Sequence, residues 1–224
     1  MAIYLGNTRI SPIIQGDTME AYVRNGGRFG YSEITDFSLY VKADYTKTVT
    51  NLDYLFSYGI QETIPQMDYS SCTSLRYLCQ GCSNLTSVPD IDAPNMTEAW
   101  AMFRYCAKLE NAPKINAPKL LNLGEAFNGC TALKVVPSFD VSSVTSMANT
   151  FNNCPNLEEI HIKNIGVSFD ISSSTKFTRE ALVEIIGNLK AVTTNRTLTM
   201  GATNLAKLTE ADRAVATGKG WTLA

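Results

Sequence analysis

Cys79 and Cys82 stand as C-x-x-C, with Cys72 seven positions upstream. Thiols at such spacing can hold zinc or carry out disulfide exchange. A structural zinc site takes four ligands, usually two such pairs or one pair plus histidines, and this chain has a single histidine, His161. The same scarcity limits nucleophilic catalysis. His161 would have to be the base of any triad, and nothing in the spacing brings it a nucleophile and an orienting acid. Asp68, Asp92 and Asp140, with Asn116 in the third place, recur at one step, but side chains of this kind also bond the backbone two residues on at turns. NGGRFG (25–30) lacks both the G-x-G-x-x-G pattern and a following helix, so no phosphate loop is read there.

The elements that must position these residues are repeats. Cys82, Cys106, Cys130 and Cys154 lie 24 residues apart, and so do Leu85, Leu109, Leu133 and Leu157. Pro65, Pro89, Pro113 and Pro137 keep the same step, with Val88, Ala112, Val136 and Ile160 on a fourth ladder. Four ladders at one period predict a solenoid, in which each unit buries its apolar face only against its neighbours. Cys79 takes the place that Phe103, Phe127 and Phe151 hold in later units. The cysteines are therefore expected to pack as small buried hydrophobes and to bind no metal.

The unit reads approximately F-x-x-C-x-x-L-x-x-V-P-x-φ-D, where φ is apolar, followed by apolar residues at every third place. Met67, Ile91, Ile115 and Phe139 are the φ after the proline; Cys72, Met96, Leu120 and Val144 come later. This spacing suits a coil with several flat sides, and V-P-x-φ is short enough for one strand per coil. Neighbouring coils about 4.8 Å apart would allow disulfides along the cysteine ladder by distance, but stacked side chains point the same way, so free thiols are expected.

With 224 residues the chain can bury a core without staples. Lysine and arginine number 19 against 21 acids, a net charge of -2, which provides no basic field for nucleic acid or anionic lipid. MAIYLGNTRISPIIQGD has neither the charged nor the apolar region of a signal peptide, which predicts folding in a reducing compartment. No window reaches 18 apolar residues, so no membrane insertion is expected.

The F-x-x-C-x-x-L-x-x-V-P frame, followed by FDVSSVTSMANTF (139–151), resembles the BspA-like leucine-rich repeats, in which cysteine replaces the usual asparagine of the ladder. The resemblance covers residues 44 to about 165. It implies an α/β solenoid, a right-handed leucine-rich-repeat array of about 24 residues per coil with a parallel strand ladder on one face, and recognition as its use.

Residues 1–43 share no period with the repeat. IYLGNTRISPIIQ alternates around a Gly-Asn turn signal and FSLYVK (37–42) alternates too, which predicts a small β-rich N-terminal anchor or cap. IYLGNTRI is similar to the openings of phage structural and tail proteins. Residues 166–224 are read as an α/β C-terminal cap. Thr178 is the expected N-cap of a helix REALVEIIGNLKAV, RTLTM (196–200) a strand, Thr209 the start of a second helix in T-E-A-D, and WTLA a closing strand. GATNLAKLTEADRAVATGKGWTLA resembles the ends of leucine-rich-repeat proteins from phages and gut Firmicutes.

These readings point to a non-enzymatic phage virion protein, a receptor-binding, tail or capsid-decoration component. The alternative is a bacterial BspA-like surface or secreted adhesin. Expected partners are other virion proteins through the N-terminal segment and a host surface protein or glycan through the repeats, with homo-oligomers left open. No cofactor and no catalytic residue is expected. The candidate partner-binding residues are Ser87, Asn111, Lys134, Val135, Glu158 and Glu159, which change from coil to coil beside the strand face while the ladders hold.

Overall fold

The computed structural model describes residues 50–224 and, ahead of them, four short strands. β1 (Ile3–Leu5) pairs antiparallel with β2 (Thr8–Ile10), placing Leu5 opposite Thr8, and β3 (Ile13–Gln15) pairs in the same way with β4 (Thr18–Glu20), placing Gln15 opposite Thr18. Two-residue connections, Gly-Asn and Gly-Asp, separate the partners in sequence, the composition that tight hairpins favour. FSLYVK and NGGRFG lie outside the described residues.

From residue 50 the pairing becomes parallel, and through the repeats it joins positions 23 or 24 apart. β5 (Ile91–Asp92) runs beside β6 (Ile115–Asn116), and β7 (Val135–Val136) beside β8 (Glu159–Ile160). Single bridges extend the pattern: Thr63 to Ser87 and Asn111 to Val135 on the side of β7, Asp140 to Lys163 on the side of β5, and Asn51 to Ser74, Glu98, Asn122 and Ser146 in succession on a third side. One strand per coil was expected, and three short contacts per coil are found. The reason is the apolar residue at every third place: the chain turns inward so often that no side extends beyond two paired residues.

The ladders form the core. Cys82, Cys106, Cys130, Cys154 and Leu85, Leu109, Leu133, Leu157 are all 0% exposed. Each leucine so buried contributes on the order of 2 kcal/mol relative to exposure. Phe103, Phe127 and Phe151 stack in sequence, with ring centroids 5.6 and 5.9 Å apart. The aspartate row makes turns as its chemistry suggests. Asp68 accepts from the Ser70 N–H (2.9 Å) and Asp140 from that of Ser142 (2.6 Å). Asp92 and Asn116 are each followed two residues on by proline, which has no N–H, and they bond each other sideways at 2.7 Å.

The stretch around the phenylalanine ladder is neither strand nor helix. Its N–H groups donate to the next coil, Ala101 to Gly124 (2.9 Å), Phe103 to Ala126 (2.8 Å) and Tyr105 to Asn128 (2.8 Å). The residues two before and two after each phenylalanine position take left-handed backbone: Tyr54 and Tyr58, Tyr77 and Gly81, Ala101 and Tyr105, Glu125 and Gly129, Asn149 and Asn153.

Beyond the repeats, β9 (Phe169–Asp170), β10 (Arg196–Thr199) and β11 (Trp221–Leu223) form a parallel sheet in the order β11, β10, β9. Thr178 caps α1 (Arg179–Gly187) by accepting from the Ala181 N–H. The helix stops five residues short of the expected Val192. Asn188 closes it, and Leu189 leaves to pair in parallel with Ile165. α2 (Gly201–Leu205) has no counterpart among the expected elements, whereas α3 (Glu210–Gly218) opens with the capping box of Thr209 and Asp212. Arg179 reaches Asp212 with two hydrogen bonds of 2.8 Å, tying α1 to α3. Among the described residues no helix is long and apolar enough to cross a membrane.

Candidate functional site

All six cysteines are buried thiols outside any disulfide. The ladder thiols donate to backbone carbonyls of the preceding coil: Cys82 to Phe56 (2.8 Å), Cys106 to Cys79 (3.1 Å), Cys130 to Phe103 and Cys154 to Phe127 (both 3.0 Å). Burial pushes the thiols of Cys79, Cys106 and Cys130 well above the ordinary range, and those of Cys72 and Cys154 up to about 12. Thiolate is the nucleophile and the metal ligand, so at these five positions the buried group stays a protonated thiol, whereas the hydrogen bond with Cys79, against some desolvation, lowers the Cys82 pKa. Among the described residues no group of three or more histidine, cysteine or acidic side chains is placed to hold a metal.

His161 is one-third exposed, with Nδ1 2.7 Å from Glu184 on α1 and Nε2 2.9 Å from Glu159 on β8. Its hydrogen bond to Glu184, against some desolvation, and then its bond to Glu159 hold the imidazole pKa above its usual value. The residue joins the last coil to the first helix after it. No hydroxyl or thiol nucleophile faces it in its hydrogen bonds.

The six candidate binding residues do come together. Ser87, Asn111, Val135 and Glu159 occupy corresponding places on one ladder, and Lys134 and Glu158 precede the last two. All are exposed except Val135, which is half-buried. Two are engaged within the chain: Lys134 pairs with Glu110 at 2.7 Å, and Glu159 holds His161. The six together form a row of mixed charge that is polar apart from Val135.

A second surface went unread in the sequence. Tyr54 stacks on Tyr77 with centroids 4.4 Å apart, and Tyr77 meets Trp100 edge-on at 4.8 Å. Four residues along the coil from Tyr54, Tyr58 is 63% exposed; two coils further on, Tyr105 is 46% exposed. The Tyr58 ring occupies the space that a Cβ on Gly81 would fill, and the Tyr105 ring does the same at Gly129. Both glycines have positive φ, +73° and +77°. Arg76 pairs with Asp53 at 2.7 Å, and Arg104 with Glu125 at 3.0 Å. The available signal was positional. Aromatic residues and glycine alternate two places after the phenylalanine ladder, as Tyr58, Gly81, Tyr105 and Gly129.

Residues 28–134 and 121–180 match the family described as "Mycoplasma protein of unknown function, DUF285". The chain belongs to this family. The two matches together span residues 28–180, more than half of the 224. No curated protein and no solved structure matches it. In this DUF285 chain the matched span includes both the mixed-charge row and the aromatic strip.

Proposed function

We propose that this DUF285 chain is a non-enzymatic recognition protein, a right-handed BspA-like leucine-rich-repeat solenoid carried on a phage particle as a tail, receptor-binding or capsid-decoration component. The repeats meet a host surface protein or glycan, and the N-terminal segment attaches to other virion proteins. The observation that carries this reading is the contrast between two sets of positions. The leucine and cysteine ladders stay at 0% exposure in every coil, while the neighbouring outward places change from Thr86-Ser87 to Glu110-Asn111, Lys134-Val135 and Glu158-Glu159. A surface relieved of packing is available for selection by a partner. The opening IYLGNTRI supports attachment to a particle.

A bacterial BspA-like surface or secreted adhesin is the second reading, and the family's description, which names Mycoplasma, favours it. Both readings predict recognition. The test is titration of labelled full-length protein onto candidate bacterial host cells, with unlabelled protein as competitor. Saturable, competed binding is expected; its absence on every cell type removes recognition. Peptides of this chain in purified phage particles would select the virion reading, and surface labelling on bacterial cells the other.

A further inference from the structure

We propose that the aromatic strip on the turn side of the repeats is a binding site for a neutral, extended chain of β-1,4-linked hexopyranoses. This rests on the recognition reading and supplies its ligand and its face, which is separate from the mixed-charge row. The strip has two lines. One is the stack of Tyr54, Tyr77 and Trp100; the other is Tyr58 and Tyr105, each lying against a glycine of the next coil.

Three features select this ligand. The first is ring rigidity. Tyr58 and Tyr105 rest where Gly81 and Gly129 leave room, so the backbone itself backs each ring, and little side-chain freedom remains to be lost on binding. Fixed rings exposed at 63% for Tyr58 and 46% for Tyr105 fit the C–H face of a pyranose, at Tyr105 beside the Arg104 guanidinium that lies over the ring. Tyr58 and Tyr105 are two coils apart, about 10 Å at the ~4.8 Å step of paired strands. That is the spacing of alternate rings in an extended β-1,4-linked chain.

The second is charge. The arginines of the strip are already neutralised, Arg76 by Asp53 and Arg104 by Glu125. No positive field is left for nucleic acid or an anionic glycan, both of which depend on one. The third is the kind of apolar surface. The exposed rings of the strip are tyrosines; of the exposed aliphatic residues Ile60 lies two places after Tyr58, and Val183 and Val215 are on α1 and α3. A protein interface needs a contiguous apolar core, and rings bordered by ion pairs do not supply it.

The polar border can meet sugar hydroxyls. Arg104 lies 4.7 Å from the Tyr105 centroid and donates to its hydroxyl at 2.9 Å. Arg104 Nε is buried without a hydrogen-bond partner, while Glu125 Oε2 is held in the ion pair with Arg104 Nη1 at 3.0 Å, so the unpaired donor at this border is Arg104 Nε.

The test uses the full chain and three neutral probes, cellohexaose, chitohexaose and mannohexaose, followed by tryptophan emission. Trp100 reports on the strip, because Trp221 is buried at 2% exposure. At least one probe is expected to shift the emission saturably. The Tyr58→Ala/Tyr105→Ala chain, with unchanged circular dichroism, is expected to bind that probe about tenfold or more weakly, as loss of ring stacking does for other planar contacts. The Val183→Ala/Val215→Ala chain, altered at exposed positions of α1 and α3, should bind as wild type does. No shift with any probe, or equal affinity in the double tyrosine variant, overturns the proposal. Cell binding is measured in parallel. If it survives the loss of both tyrosines, recognition stands and the strip is rejected; if the probes bind and cells do not, the strip stands and the adhesin reading fails.

Discussion

The thiol of Cys130 donates a hydrogen bond to the backbone carbonyl of Phe103 at 3.0 Å, linking one coil to the one before it. The same carbonyl also accepts from the Cys106 N–H at 3.1 Å. Cysteine therefore does two jobs in the ladder: it fills a small apolar site and it supplies a donor between coils.

Cys130→Ala removes the sulfur volume and one of two donors to Phe103, so a cost of about 1–2 kcal/mol is expected. The urea midpoint should fall with the m-value unchanged. A midpoint equal to wild type would show that the thiol contributes nothing to the stack.

Leu133 is 0% exposed in the middle of the leucine ladder. Leu133→Asp buries a carboxylate with no partner and should cost about 4 kcal/mol or more, while the exposed Glu158→Ala should stay within about 0.5 kcal/mol. Thermal melts of the two variants side by side check this. Equal melting temperatures would contradict the ladder as the core.

Gly129 combines a φ of +77° with the Tyr105 ring where its Cβ would be. Gly129→Ala should destabilise by about 1–3 kcal/mol, part from backbone strain and part from the ring. In a Tyr105→Ala background the steric part disappears and the backbone part stays. A double-mutant cycle measures the difference, and strict additivity would mean that the ring yields at no cost.

His161 has a pKa raised above the unfolded value, first by its hydrogen bond to Glu184 and, beyond some desolvation, by Glu159. A group raised in this way stabilises the fold fully below the unfolded pKa of about 6.5 and loses that contribution as pH rises through the folded pKa. With the ring one-third exposed, solvent screening holds the effect to a few tenths of a kcal/mol. Melting temperature should therefore decline slightly from pH 6 upward in wild type relative to His161→Gln. Parallel profiles would show that the bridge between β8 and α1 carries no protonation-linked stability.

The 24-residue ladders, their burial, the helix caps at Thr178 and Thr209 and the turn role of Asp68 and Asp140 were all legible in the sequence. Each depends on local chemistry or on a strict period, which a single chain displays directly. Asp92 shows the limit of local reasoning: Pro94 removes the donor it would have used, and its bond goes to Asn116, 24 residues on. Three facts were decided only by tertiary structure. The helix after Thr178 ends at Gly187, because Leu189 is drawn into a bridge with Ile165 whose gain no local propensity contains. The coil has three paired sides where one strand was expected, because parallel contact depends on how neighbouring coils register. The aromatic strip arises because left-handed backbone at Tyr58 and Tyr105 turns their rings onto glycines of the following coil. Periodicity marks the residues that must repeat; where the others meet is set by the stacking of coils.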